Sequence, residues 1–167
     1  MKNPDHLEWA ARVDAALKPY SLSSVLMGGV PCINVAATQF GAALRKIKAH
    51  SRELGLDLLE DAFAQDLGKS IHVTCRFIGT SCASRELIVR TEVVATGQKH
   101  RPALEPLSKS WPMASCFELE MATLYGLDFT GREDSGSDFS LQEQDEGAAG
   151  YPMRKYSSGS IDGESTS

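Results

Sequence analysis

Apolar residues recur at helical spacing in three stretches of the chain. The first predicted helix covers residues 4–18, because proline suits a first helical turn and Pro19 cannot continue the helix. Its apolar stripe consists of Leu7, Ala10, Val13 and Leu17. The second predicted helix has Thr38 as its candidate N-cap and Gly55 as its C-terminal cap. Its stripe consists of Phe40, Leu44, Ile47, Ser51 and Leu54.

The third predicted helix has Pro112 in its first turn and ends before Gly126. Its stripe consists of Met113, Phe117, Met121 and Leu124. Glu118 and Glu120 are two positions apart, about 200° around a helix axis, so they cannot both point into one pocket. A mechanism that uses this carboxylate pair is therefore not expected. Both glutamates are predicted to be ordinary solvated charges, with ion pairing across a subunit boundary as the alternative.

Between the second and third helices the pattern changes to the alternation that is typical of β-strands. Two alternating runs flank the polar break at Gly79-Thr80-Ser81 and predict an antiparallel hairpin. Two more strands are expected on either side of Gly28-Gly29. The predicted strands are 23–27, 31–35, 58–63, 71–77 and 87–93. The sequence thus predicts an α+β fold in which helices pack on one face of a mostly antiparallel sheet.

The composition changes after Gly131. Residues 132–167 hold eight acidic and three basic residues, so they carry the whole formal charge of −5 and leave residues 1–131 neutral. We predict one α+β domain at 1–131 and an extended acidic, Gly/Ser-rich tail at 132–167, either disordered or ordered along another subunit. Because the domain has no basic excess, nucleic acid and anionic lipid are not expected as its main partners.

Candidate chemistry is sparse. Gly68-Lys69-Ser70 resembles the end of a phosphate-binding loop, but position 63 is Phe where that loop needs Gly, so a polar turn before a strand is favoured. His72, Cys75 and Cys82 do not form a zinc-ligand pattern, since His72 and Cys75 would lie on opposite faces of a strand. The sequence contains no nucleophile motif. We therefore predict no catalytic, cofactor-binding or metal-binding residues in this chain.

The polar N-terminus and the lack of an apolar run of about 18–20 residues predict a cytoplasmic protein without its own membrane span. A short motif, Pro152-Met153-Arg154-Lys155, interrupts the acidic tail between Tyr151 and Tyr156. Aromatic residues, Met and Arg are enriched at protein interfaces. The motif is therefore predicted to dock onto a partner.

The third helix and this motif together resemble a known family. Residues 110–131, SWPMASCFELEMATLYGLDFTG, are similar to the signature of the 30 kDa peripheral-arm subunit of respiratory NADH dehydrogenase and its hydrogenase relatives. That signature has a Trp-Pro start, an aromatic residue, Glu-Arg-Glu, a Tyr-Asp pair and a closing aromatic-Gly-Ile-x-Phe-Gly. The Pro-Met-Arg-Lys motif resembles the family's later Pro-Leu-Arg-Lys. The resemblance spans residues 31–156.

The chain departs from that signature at several positions. Leu119 replaces the central Arg, and Ala122-Thr123 replaces the Tyr-Asp pair. Gly131-Arg132-Glu133-Asp134 stands where the family has a Gly-His-Pro loop, and Tyr156 replaces an Asp. With the short chain length, these departures favour the divergent form that accompanies membrane-bound, energy-converting nickel–iron hydrogenases of the carbon monoxide-induced type.

The resemblance implies a structural and assembly subunit without a cofactor. Iron–sulfur clusters and a nickel–iron site (or a quinone site) would belong to the partners, a large catalytic subunit and an iron–sulfur small subunit. The chain would lie on the cytoplasmic side of the membrane and be attached only through them. The predicted interface residues are Trp111, Pro112, Phe117, Glu118, Glu120, Tyr125, Gly126, Phe129, Pro152, Arg154 and Lys155.

Three alternative functions stay open. The first is the equivalent subunit of NADH:quinone oxidoreductase. The second is a soluble adaptor that binds through its acidic tail. The third is a small stand-alone enzyme that uses His72 or the region of Glu118 and Glu120, which would need a concave pocket lined by these side chains.

Overall fold

A computed structural model describes residues 4–81, 85–94, 101–131 and 151–155 of the chain. The helices are α1 (Pro4–Leu17), α2 (Ala37–Ala49), α3 (Ser51–Leu54) and α4 (Ser115–Tyr125). The strands are β1 (Ser21–Met27), β2 (Val30–Ala36), β3 (Leu58–Asp66), β4 (Ser70–Ile78), β5 (Glu86–Val94), β6 (Ala103–Leu104) and β7 (Asp128–Phe129). Two 3₁₀ turns, Leu107–Lys109 and Pro112–Ala114, precede α4.

Five strands form one sheet in the order β1-β2-β5-β4-β3. The predicted hairpin is confirmed, since β4 and β5 pair antiparallel over their whole length, and β3 joins the other side of β4 antiparallel. The sequence pattern does not predict the parallel pairing of β2 with β5. This pairing arises because the chain leaves β2 through α2 and returns through the β3-β4-β5 meander, whose last strand lies beside β2.

The helices pack on one face of this sheet, as the sequence predicts. On that face Phe77 lies opposite Leu87 and Cys75 opposite Val89, and all four side chains are buried. Helix α2 packs against β2 and β5, and α4 packs against β3. The other face, here called the open face, carries His72, Arg76 and Glu92, which all reach solvent. The hydrophobic core therefore lies between one layer of helices and one layer of strands.

The second helix differs from its prediction at both the start and the middle. Thr38 does not cap it: α2 begins at Ala37, directly after β2, and the extended Ala36 occupies the cap position without a side-chain bond. The Thr38 prediction is wrong because the strand runs into the helix with no linker. The helical backbone is interrupted at His50 (φ −106°, ψ 17°), and α3 then ends, as predicted, at Gly55 in a left-handed conformation.

One surface loop is held by a carboxylate between α3 and β3. Asp57 Oδ1 accepts a bond from the Thr80 main-chain N–H at 2.7 Å, and Asp57 Oδ2 accepts one from the Thr80 hydroxyl at 2.5 Å. These bonds favour the ionised form and lower the pKa of Asp57. Asp57 thus ties the chain after β4 to the start of β3.

The Asp57 contact gives stability a pH dependence with a definite sign. The folded-state pKa lies below the unfolded value of about 3.9, so the stabilisation is complete above that pH and is lost as pH falls through the folded-state pKa. We expect Asp57→Asn to lower the free energy of unfolding by a constant amount above about pH 5, and the deficit to shrink below about pH 4. Urea unfolding of both proteins across this pH range measures the deficit in the free energy of unfolding. A deficit that is independent of pH would contradict the assignment.

Candidate subunit interface

Trp111 directly precedes the 3₁₀ turn that leads into α4, and its ring is buried in the core. The ring lies against Phe77 of β4, with the centroids 5.3 Å apart. Lys48 of α2 places its Nζ 4.1 Å from the centroid of the same ring, at cation–π distance. Trp111 therefore joins α2, β4 and the turn before α4. Its Nε1 is buried and has no hydrogen-bond partner within the part of the chain that the structure describes.

Helix α4 buries a different stripe from the one predicted. Met113, expected on the apolar stripe, is 75% exposed and precedes the helix in a 3₁₀ turn. The buried α4 residues are Glu118, Met121 and Ala122, at i, i+3 and i+4. Phe117 and Leu124 of the predicted stripe are only partly buried. The predicted stripe is wrong in its orientation around the helix axis, because the prediction assumed that the charge of Glu118 keeps this side chain in solvent.

Glu118 is fully buried, and its carboxylate is occupied inside the chain. Ser108 donates its main-chain N–H to Oε1 at 2.7 Å and its hydroxyl to Oε2 at 2.9 Å. Two donors to one carboxylate offset part of the cost of burying the charge. The prediction that Glu118 is a solvated charge is wrong, whereas Glu120 is exposed as predicted. Glu118 fixes the 3₁₀ turn that contains Ser108 against α4.

Asp66, the last residue of β3, is the second buried carboxylate in this region. Its Oδ1 accepts the Gly68 N–H at 2.6 Å and shapes the turn to β4, so Gly68 and Lys69 lie in the polar turn that the sequence favours and Ser70 begins the strand. Its Oδ2 accepts the Lys155 N–H at 2.7 Å and lies 3.5 Å from Arg154 Nε. Both side chains of the ion pair are at most 5% exposed. The predicted docking motif is thereby fastened to the sheet of its own domain.

The same segment covers the C-terminus of α4. Arg154 Nη1 donates to the Tyr125 carbonyl at 3.2 Å, and the Met153 N–H donates to the Leu124 carbonyl at 3.0 Å. The Tyr151 ring lies over Gly126, where an added Cβ would come within 2.2 Å of a ring carbon. Gly126 also has a positive φ of 67°, which favours glycine. Residues 151–155 therefore cap α4, and we call them the clasp.

The eleven predicted interface residues divide by exposure. Trp111, Glu118, Gly126 and Phe129 are buried, and Phe117, Tyr125 and Arg154 are partly buried. Four are exposed to solvent: Pro112, Glu120, Pro152 and Lys155. Met113 and Met153, at 75% and 53% exposure, are exposed as well; Met153 belongs to the predicted docking motif, whereas Met113 was expected on the apolar stripe of the helix. These last six residues lie just before α4, on it, or in the clasp at its C-terminus, and we call them together the α4 patch.

The rest of the candidate chemistry is dispersed. His72 lies on the open face, 3.8 Å from Glu92, while Cys75 is buried on the helix side, where burial raises the pKa of its thiol. Cys82 lies outside the described residues. A cleft of about 260 Å³ is lined by six residues that include neither His72 nor the α4 glutamates: Ser51, Arg52, Gly55, Asp57, Ser81 and Arg85. Within 4–81, 85–94, 101–131 and 151–155, no three His, Cys, Asp or Glu side chains come together as metal ligands.

The helices that the structure describes are all too short or too polar to span a bilayer.

Glu118 and Glu120 provide a matched pair of truncations on one helix. Glu118→Ala leaves two partly buried donors of Ser108 unpaired and removes a fully buried side chain, so we expect it to lower the free energy of unfolding by about 2–3 kcal/mol. Glu120→Ala removes an exposed side chain and should change it by less than about 0.5 kcal/mol. Urea unfolding of the isolated chain compares them. Equal effects would show that Glu118 is not held as described.

The clasp offers a second matched pair. Arg154→Met leaves Asp66 buried without its cation and should cost about 3 kcal/mol, the lower end of the range for a broken buried pair, because two main-chain donors remain. Lys155→Met keeps the main-chain bond and removes an exposed charge, so its cost should stay below about 0.5 kcal/mol. Thermal and urea unfolding measure both. A neutral Arg154→Met would contradict a closed clasp.

Comparison with known proteins adds an independent result. The family model described as respiratory-chain NADH dehydrogenase, 30 kDa subunit, matches residues 33–160. A search of curated proteins gave no significant match. A chain from the membrane-bound sulfane sulfur reductase, an archaeal respiratory membrane complex, superposes with a TM-score of 0.67 at 20% identity, over 88% of this chain and 84% of that one.

The trypsin-resistant fragment (1–134) of Nqo5 superposes with a TM-score of 0.57 at 22% identity, over 77% of this chain and 98% of the fragment. At these identities the two structures show a shared fold. The family match covers most of the chain, including β2 from Ile33 onward, β3 to β5, α4 and the clasp. The chain therefore belongs to the family of the respiratory-chain NADH dehydrogenase 30 kDa subunit.

Proposed function

We propose that this chain is a cofactor-free docking subunit of a membrane-bound, energy-converting nickel–iron hydrogenase. The family match over residues 33–160 supports a subunit of a respiratory-chain complex, and the departures at Leu119 and Ala122-Thr123 favour the hydrogenase type. In this role the chain binds the large catalytic subunit and the iron–sulfur small subunit on the cytoplasmic side of the membrane. Electrons pass through cofactors of those partners, and this chain fixes their relative position.

Two observations favour a hydrogenase-type complex over NADH:quinone oxidoreductase. The signature of α4 lacks its central Arg, which is Leu119, and its Tyr-Asp pair, which is Ala122-Thr123. The fold is also shared with a chain of the membrane-bound sulfane sulfur reductase over 88% of this chain. The equivalent subunit of NADH:quinone oxidoreductase is the second candidate, and it is favoured by the family description and by the likeness to Nqo5.

The α4 patch is the surface that we assign to docking. It combines two exposed methionines, Met113 and Met153, with opposite charges on Glu120 and Lys155. Methionine is enriched at interfaces. The backbone that carries the patch is held by the hydrogen bonds of Glu118 with Ser108 and by the ion pair of Arg154 with Asp66. A preformed surface of this kind loses little conformational entropy on binding.

The buried polar groups of this region support a structural role. Among the described residues, Glu118 accepts hydrogen bonds from Ser108 alone, and the contacts of Asp66 come from Gly68, Arg154 and Lys155. Both carboxylates thus organise the backbone on which the patch lies. This use of charge suits a scaffold that must present a fixed surface to two partners.

Membrane purification of an affinity-tagged chain tests the proposal. We expect the tagged protein to bring down a nickel–iron large subunit and an iron–sulfur small subunit, identified by mass spectrometry and metal analysis. Glu120→Lys should reduce the recovered partners about tenfold, since reversal of a charge in an interface costs roughly 1.4 kcal/mol or more. The stability of the isolated chain should not change.

Glu53→Lys is the matched control, because Glu53 is an exposed helical glutamate on α3, away from the patch. It should leave the recovery of partners within about twofold. Co-purification of quinone-reductase subunits instead would select the second candidate. Recovery of the unmodified chain as a monomer from every membrane preparation would overturn both.

A further inference from the structure

Exposed apolar residues concentrate at one edge of the sheet. Among the described residues, ten large hydrophobic side chains are exposed, and four of them lie in the seven residues of β1. These four are Leu22, Val25, Leu26 and Met27. Leu22 is 73% exposed, the second most exposed of the ten after Met113. Six of the seven β1 residues are exposed, whereas β2 beside it is mostly buried.

The apolar side chains of β1 lie on both faces of the sheet. Val25 pairs with Cys32, which places it on the open face, and Leu26 pairs with Pro31 and lies on the helix side. Among the described residues β1 pairs only with β2, so about half of its main-chain N–H and C=O groups point away from the sheet. A helix laid against β1 would cover one face and leave these groups unpaired.

The opposite edge of the same sheet is built differently. Strand β3 carries the charged side chains of Glu60 and Asp61. Each edge strand has one irregularity of register, at Leu59/Asp61 in β3 and at Ser21/Ser23 in β1, so the charges are what distinguish the two edges. Charged side chains are a usual device by which proteins prevent a second strand from adding to an edge. Strand β1, with the sequence SLSSVLM, contains no charge and no proline. One edge is therefore protected against strand addition and the other is open to it.

We infer that β1 is a second interaction surface, which binds an extended, uncharged apolar segment of another subunit as a sixth strand of the sheet. Added in this way, the segment pairs with the free main-chain groups, and its alternating side chains cover Val25 on one face and Leu26 on the other. A second copy of this chain is the less favourable occupant, because residues 132–167 of two copies, each with a formal charge of −5, would repel one another. The inference rests on the proposed function for the source of the segment.

Hydrogen exchange of the β1 amides provides the first test. In the isolated chain the outward amides of Ser21–Met27 should exchange rapidly, and in the purified membrane complex they should be protected by at least about tenfold. A photo-crosslinking residue in place of Leu22 should join β1 to an uncharged apolar stretch of a partner subunit. Protection that is already complete in the isolated monomer, or crosslinks within this chain or to a second copy, would overturn the inference.

Two matched lysine substitutions test the two edge strands of the sheet separately. Val25 and Phe63 are 49% and 48% exposed, and both lie on the open face, one on each edge strand. Val25→Lys should lower the recovery of the complex about tenfold, and Phe63→Lys should leave it within about twofold. Both isolated proteins should unfold at the same temperature as the unmodified chain to within a few degrees.

The outcomes distinguish this inference from the proposed function. If the unmodified chain recovers no complex, the proposed function fails. If it recovers the complex but Val25→Lys behaves as Phe63→Lys does and the β1 amides stay unprotected, the strand-addition inference alone fails. A loss of complex with Val25→Lys, together with protection of β1, supports both.

Discussion

The contact on which the α4 region depends is the one between Asp66 and the clasp. Asp66 is a carboxylate buried at the end of an edge strand, and burial of a charge is unfavourable unless opposite charge and hydrogen bonds compensate it. Its compensation comes from two sides: the turn to β4 supplies the Gly68 N–H, and the clasp supplies Arg154 and the Lys155 N–H. Through Asp66 and the clasp, the edge of the sheet is thus connected to the end of α4 by a segment that is distant in the sequence.

Much of the fold follows from the spacing of apolar residues. Helix α1, the β4–β5 hairpin and the left-handed cap at Gly55 are where the pattern predicts them. Each depends on local chemistry: a periodic face, alternation around a polar turn, or a glycine after the last helical residue. The parallel pairing of β2 and β5 has no local signal, because it depends on where a 50-residue excursion returns.

The α4 region was harder to predict because two of its charges are used inside the chain. A glutamate on a helix is expected to face solvent, and nothing near Glu118 in the sequence shows that Ser108, ten positions earlier, supplies two donors. The ion pair of Arg154 is equally hard to predict, because Asp66 lies 88 residues away in the sequence. Among the residues predicted for the interface, the structure uses Glu118 and Arg154 for contacts within the chain and leaves Glu120 and Lys155 exposed.

The Tyr151–Gly126 contact has a consequence for how the chain can be divided. A cut after Gly131, where the composition changes, would remove the ring that covers Gly126, the two donors to the last carbonyls of α4 and the cation beside Asp66. A shortened protein of this kind would expose a helix end and a bare carboxylate. During synthesis of the polypeptide these contacts are also missing until residue 155 has been added. All five strands of the sheet are therefore present in the chain well before the Asp66 carboxylate gains its cation.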